Sequence, residues 1–153
     1  MSDLEKQDLK NKKVIVRVDL NVPLDDNDNV TDTTRIVACK ETVDLILEKG
    51  GTCILISHLG RPKGKENKFS LKKIVDTVSS VLNQPVFFYE DCIGHGAQEA
   101  ISKLGQGSII LMENLRFYQE ETLGDRVFAE SLSKLGDIYV CLLYTSPSPR
   151  DSG

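Results

Sequence analysis

Five short, almost wholly apolar runs separated by stretches of helical periodicity limit this chain to very few folds. The runs are Val14-Ile-Val-Arg-Val18, Thr52-Cys-Ile-Leu-Ile56, Pro85-Val-Phe-Phe-Tyr89, Ser108-Ile-Ile-Leu-Met112 and the opening Ile138-Tyr-Val140. Each has the length of a strand, and none shows the apolar/polar alternation of a sheet with one wet face. Between them, Ile36, Cys39, Val43, Ile46 and Leu47 recur at helical spacing until Gly50-Gly51. Ser70 offers an N-cap to a second helix with the face Leu71, Ile74, Val75, Val78 and Leu82. Ala97, Ala100, Ile101 and Leu104 form a third face before the breakers Gly105 and Gly107, and Phe128, Leu132 and Leu135 form a fourth between a capping Asp125 and Gly136. The resulting βαβαβαβαβ pattern predicts an α/β protein with a doubly wound (Rossmann-like) parallel sheet covered on both faces. A closed eight-fold barrel needs roughly 250 residues, more than are present.

The polar punctuation falls just after these runs. Arg17-Val-Asp19-Leu-Asn21-Val-Pro23, Ser57-His58-Leu-Gly60-Arg61-Pro62 and Glu113-Asn114-Leu-Arg116-Phe117 all follow strand-like segments. In a parallel α/β sheet such residues gather at the carboxyl rim, where these folds bind ligands. Arginine's fixed fork of donors suits carboxylate and phosphate oxygens. Arg35 stands at the start of the first helix, where a cation opposes the helix dipole, and binding an anion would explain it. Arg61 lies between Gly60 and Pro62, close to His58, which is read either as a ligand-facing group or as a loop or core histidine with its nitrogens satisfied. Asp19 and Asn21 can face one way and bind hydroxyls, or serve as turn chemistry before Pro23. Arg17 is better read as a structural partner of a carboxylate such as Asp19.

Other chemistry is poorly supported. With 19 basic against 23 acidic residues, a net charge of −4 and no basic stripe, nucleic-acid or membrane partners are not expected. No apolar run approaches a membrane span, the N-terminus lacks a secretory design, and cytoplasmic residence follows as the default. Cys39, Cys53, Cys92 and Cys141 have no metal-site spacing and read as reduced thiols. Gly60 to Glu66 is one residue short of a P-loop, Gly94-His95-Gly96 lacks a third glycine, and Asp25 to Asn29 lacks the glycine and closing glutamate of a calcium loop, so it reads as a solvated turn.

Taken together, Val16 to Leu24, Thr34-Arg35-Ile36, Ser57 to Pro62 and Glu113 to Phe117 closely resemble the N-terminal domain of phosphoglycerate kinase in residues, order and spacing. The resemblance implies an incomplete N-terminal domain of a two-domain kinase, over residues 1–140, that carries the 3-phosphoglycerate or 1,3-bisphosphoglycerate side of a glycolytic phosphotransferase. By motif match, Asp19 and Asn21 would hold the glycerate, while His58, Arg61 and Arg116 would receive its phosphate. Arg35 would reach the transferring group as the catalytic residue. The same resemblance implies Mg-ATP or Mg-ADP as the other substrate, bound on a domain this chain lacks. It further implies no bound metal or prosthetic group here, and a monomeric intact enzyme.

Two departures stand out. Thr33 replaces the polar residue that many relatives carry before Thr34-Arg35, with little expected consequence. From Cys141 the family's Asn-Asp-Ala-Phe continuation, with a further His-Arg ligand pair, is replaced by a segment with two Ser-Pro pairs and no periodicity. Residues 141–153 are therefore expected to be a non-native appended tail or a natural disordered one. A stand-alone module that senses an anionic metabolite is the alternative to an inactive kinase fragment.

Overall fold

The computed structural model describes residues 8–27, 29–58, 70–105, 107–117 and 126–142, except for the side chains of Arg116 and Val127. Its elements are β1 (Lys13–Arg17), α1 (Thr34–Glu48), β2 (Thr52–Ile56), a 3-10 turn (Leu71–Ile74) running into α2 (Val75–Leu82), β3 (Val86–Tyr89), α3 (His95–Ser102), β4 (Ile109–Met112), a second 3-10 turn (Leu115–Phe117), α4 (Arg126–Ser133) and β5 (Ile138–Cys141). All strand pairs are parallel, in the order β3-β4-β2-β1-β5. The expected α/β alternation is present, with strand bounds moved by a residue or so. Pro85, which has no N–H to give a ladder, stays outside β3, and β5 runs on to Cys141.

Alternate residues of each strand point to opposite faces, and each face has its own core. Val14, Val16, Cys53, Leu55, Ile109 and Leu111 pack with Ile36, Cys39, Val43 and Ile46 of α1 and Val78 and Leu82 of α2. Ile15, Ile54, Ile56, Ile110 and Met112 pack on the other side with Ala97 and Ile101 of α3 and Phe128 and Leu132 of α4. Every residue of β2 is buried, because it lies mid-sheet under both layers. Removing a branched aliphatic side chain of this kind from water contributes about 1.5–3 kcal/mol.

The helix ends follow their capping chemistry. Gly50 takes φ +84, and the N–H of Gly51 bonds the carbonyl of Ile46 at 2.9 Å, which stops α1 and turns the chain into β2. Ser70 is extended, and its Oγ accepts the N–H of Lys72 at 3.1 Å, so it caps as expected. The helix it starts opens as a 3-10 turn before becoming α-helical, and Asn83, at φ +56, ends it. Asp125 lies outside the described residues.

α1 and α2 lie on one face of the sheet, α3 and α4 on the other. The chain leaving β2 therefore goes to one face, whereas the chain leaving the adjacent β4 goes to the opposite one. The carboxyl ends of these two strands therefore mark a topological switch point, the position at which open α/β sheets bind ligands.

Candidate functional site at the carboxyl rim

The polar segments after β1, β2 and β4 meet at this end of the sheet. Beyond β1 the ladder continues only to the N–H of Val18, which bonds the carbonyl of Ile56 at 3.0 Å. The chain then turns tightly, with the N–H of Val22 on the carbonyl of Leu20 at 2.8 Å. Val18, Leu20 and Val22 are buried, whereas Asn21 is exposed and Asp19 only partly covered. The apolar alternation thus pins the segment to the core and turns its polar members toward the rim.

Arg35 lies in the first turn of α1 and reaches back over this segment. Its Nη1 donates to Asp19 Oδ1 at 3.2 Å and to the carbonyl of Asn21 at 2.6 Å. Asp19 Oδ1 also accepts the N–H of Asn21 at 3.0 Å, an Asx turn. Ligand binding and turn chemistry were both open for Asp19, and the turn is present. The carboxylate that strand alternation offered to Arg17 is bonded by Arg35, because β1 ends at Arg17 and the chain bends after it. An opposed helix dipole at Arg35 is offset by this local partner, and its Nη2 and Nε donors remain for a further acceptor.

Next to this pair is a cleft of about 590 Å³ lined by Asn21, Val22, Pro23, Asp32, Thr34 and Arg35. Asp32 accepts the N–H of Thr34 at 2.9 Å and its hydroxyl at 2.6 Å, fixing the start of α1 where the N-cap residue Thr33 makes no side-chain bond. Those bonds from Thr34, with a smaller contribution from the nearby Arg35 charge, hold the Asp32 carboxyl below its ordinary range. Asp19 and Arg35 also border a smaller recess of about 50 Å³ with Val18, Ala38, Cys39 and Leu142.

Two buried polar residues tie the rim together, and neither is among the residues the motifs single out for ligand contact. Ser57, at the end of β2, accepts the N–H of Leu20 on Oγ at 2.9 Å and the N–H of Leu115 on its carbonyl at 2.9 Å. Its hydroxyl lies 3.2 Å from the carbonyl of His58, to which it donates. Glu113 follows β4, with Oε1 accepting the N–H groups of Leu71 and Asn114, both at 2.8 Å, and Oε2 accepting the Ser70 hydroxyl at 2.6 Å. Its own N–H bonds the carbonyl of Asp91, beyond β3, at 3.2 Å. The available signal was position: a hydroxyl or carboxylate directly after a run too apolar to leave it exposed.

Of the expected site residues, Asp19, Asn21 and Arg35 form one bonded group. His58 is partly buried on the adjacent strand end, joined to that group through Ser57 and Leu20. Arg116 lies in the 3-10 turn that Leu115 attaches to Ser57, but its side chain is outside the described residues, as is the whole of Arg61. The Asp25 to Asn29 segment is a tight turn, with Asp25 Oδ1 accepting the N–H groups of Asn27 and Asn29 at 2.8 and 2.9 Å. Those two backbone bonds, that from Asn29 foremost, lower its pKa. Among the described residues no group of three or more His, Cys, Asp or Glu side chains could hold a metal ion, and no helix is long and apolar enough to cross a membrane.

The family model described as phosphoglycerate kinase matches residues 3–142. Cytosolic phosphoglycerate kinase of Triticum aestivum is 50% identical over 137 residues, covering 90% of this chain and 34% of that protein. Chloroplastic phosphoglycerate kinase 2 of Arabidopsis thaliana is 48% identical over 140 residues, covering 92% and 29%. The crystal structure of phosphoglycerate kinase from Pyrococcus horikoshii OT3 superposes with a TM-score of 0.78 at 30% identity, over 90% of this chain and 35% of that one. The chain thus spans about a third of the length of the relatives it matches.

Proposed function

Because the chain belongs to the phosphoglycerate kinase family, we propose that it is the triose-binding portion of a cytoplasmic, monomeric glycolytic kinase. The intact enzyme would pass a phosphoryl group reversibly between 1,3-bisphosphoglycerate and Mg-ADP, giving 3-phosphoglycerate and ATP. The observation that carries the reading is the bonded group of Asp19, Asn21 and Arg35 beside the cleft that Asn21, Asp32, Thr34 and Arg35 line. Phosphoryl transfer asks a protein for positioning and charge neutralisation more than for covalent chemistry, and guanidinium donors such as that of Arg35 can supply both.

In this reading Asp19 and Asn21 take the hydroxyl and carboxylate end of the triose. His58, Arg61 and Arg116 receive its phosphate, and Arg35 turns toward the transferring group. Mg-ADP or Mg-ATP is a substrate of the remaining two thirds of the intact protein, so this chain alone binds the triose without turnover. Neither nucleic acid nor membrane is a partner.

Titration calorimetry of the 153-residue chain with 3-phosphoglycerate, beside Arg35→Ala and Arg61→Ala, tests the site. Weak binding that falls in both variants is expected. Undiminished binding in both would discard the site, and ATP formation at the full rate in a coupled assay would discard the inactive-fragment reading.

A further inference from the structure

We propose that Ser57 is a positioning residue, whose buried hydroxyl and carbonyl lock the segments after β1, β2 and β4 into one register so that the triose-binding groups on all three meet at fixed spacing. The proposal rests on the substrate reading above and extends it to a residue that touches no ligand. Ser57 is only 1% exposed, and each group it holds lies next in the chain to a candidate ligand. Leu20, whose N–H bonds Oγ, sits between Asp19 and Asn21. His58 follows directly and offers its carbonyl to the same hydroxyl. Leu115, whose N–H bonds the Ser57 carbonyl, precedes Arg116.

A serine is suited to this junction because one hydroxyl can accept and donate at once. Leu20 and Leu115 are completely buried, so neither amide has water as a substitute partner if its bond is lost. Displacing any of the three segments by about 1 Å would separate groups that must grip one small molecule together. A polar side chain that merely satisfied a buried amide would stabilise the sheet as a whole. A positioning role instead predicts effects concentrated at the rim and coupled to the ligand-binding residues.

The test uses the 153-residue chain with Ser57→Ala, the partly restoring Ser57→Cys, Asn21→Ala and the Ser57→Ala/Asn21→Ala double variant. Amide exchange and amide shifts are followed by NMR, and affinity by titration with 3-phosphoglycerate. In Ser57→Ala the Leu20 amide is expected to exchange at least about tenfold faster. Shift changes should cluster at Asp19 to Asn21, His58 and Leu115, while Val14 to Val16 and Ile54 keep their protection. Affinity should fall about tenfold, recover in part with Ser57→Cys, and fall no more than about twofold further when Ser57→Ala is added to Asn21→Ala.

Unchanged Leu20 exchange, protection lost evenly over the sheet, or fully additive affinity losses would overturn the proposal. Should the unmodified chain bind no 3-phosphoglycerate, the substrate reading fails. The amide pattern alone then decides the role of Ser57: a rim-confined pattern supports it, and an even or absent one overturns it.

Discussion

Glu113 and Ser70, 43 positions apart in the chain, share a hydrogen bond of 2.6 Å that fastens the end of β4 to the start of the helix following β2. The same carboxylate takes the N–H groups of Leu71 and Asn114, both residues fully buried. Glu113→Ala leaves those two amides without an acceptor, and a loss of about 2–4 kcal/mol is expected. Glu113→Gln keeps one acceptor oxygen and should lose about half as much. Urea unfolding followed by circular dichroism measures both, and a Glu113→Ala midpoint equal to that of the parent chain would contradict the anchoring role.

Arg35→Ala should separate stability from affinity. The Arg35–Asp19 pair is solvated, with side chains 50% and 31% exposed, so its removal should cost no more than about 1 kcal/mol. Affinity for 3-phosphoglycerate should nevertheless drop at least about tenfold, the scale of one lost charge-assisted contact. Thermal melts paired with calorimetry read the two quantities. A large fall in melting temperature would mean that the arginine serves the fold instead.

The order of the strands and α-helices could be read from the sequence because each strand is largely apolar and each helix keeps one apolar stripe, whereas the two 3-10 turns gave no such signal. Thr52 to Ile56 show this best, since all five residues are buried. Asp19, Asn21 and His58 were legible as polar positions after strands, but the bonding around them was not. Arg17 lies nearer Asp19 in sequence than Arg35 does, and only the turn at Leu20 to Val22 gives the carboxylate to the helix. The roles of Ser57 and Glu113 within their motifs were not legible, because a buried polar residue declares itself through its partners, most of which lie at distant positions.

Thiol reactivity provides a third check. Burial disfavours the thiolate and pushes Cys39 up to about 11 and Cys53 higher still, and Cys92 is fully buried. Cys141, at the end of β5, is exposed. A chromogenic disulfide reagent at pH 8 should therefore titrate one thiol in the native chain and four in guanidinium chloride. A folded-state pKa above the unfolded value of 9.0 means that Cys39's contribution to stability is complete below pH 9 and lost as pH rises through about 11. Rapid native labelling of Cys39 at pH 8 would contradict the buried assignment.

Asp32 titrates in the opposite sense. Its carboxyl is held below 3.8 by the bonds from Thr34 and, less strongly, by Arg35. The folded chain thus binds fewer protons than the unfolded one as acid is added, and the contribution is present above pH 3.8 and lost as pH falls through the lower folded value. In an NMR titration the Asp32 carboxyl should show its midpoint below 3.8, with the Thr34 amide moving in step. Asp32→Asn should abolish the Thr34 transition, and persistence of that transition would assign it to another group.

The strand order has a temporal consequence. β1 is flanked by β2 and by β5, so one side of the first strand pairs with residues synthesised far later than itself, as the bond from Lys13 N–H to Asp137 across 124 positions illustrates. At roughly 5–20 residues per second, synthesis leaves that flank uncovered for on the order of ten seconds. During this interval the nascent chain presents an open hydrogen-bonding ladder to anything nearby, which makes holding by a chaperone most valuable before Ile138 emerges.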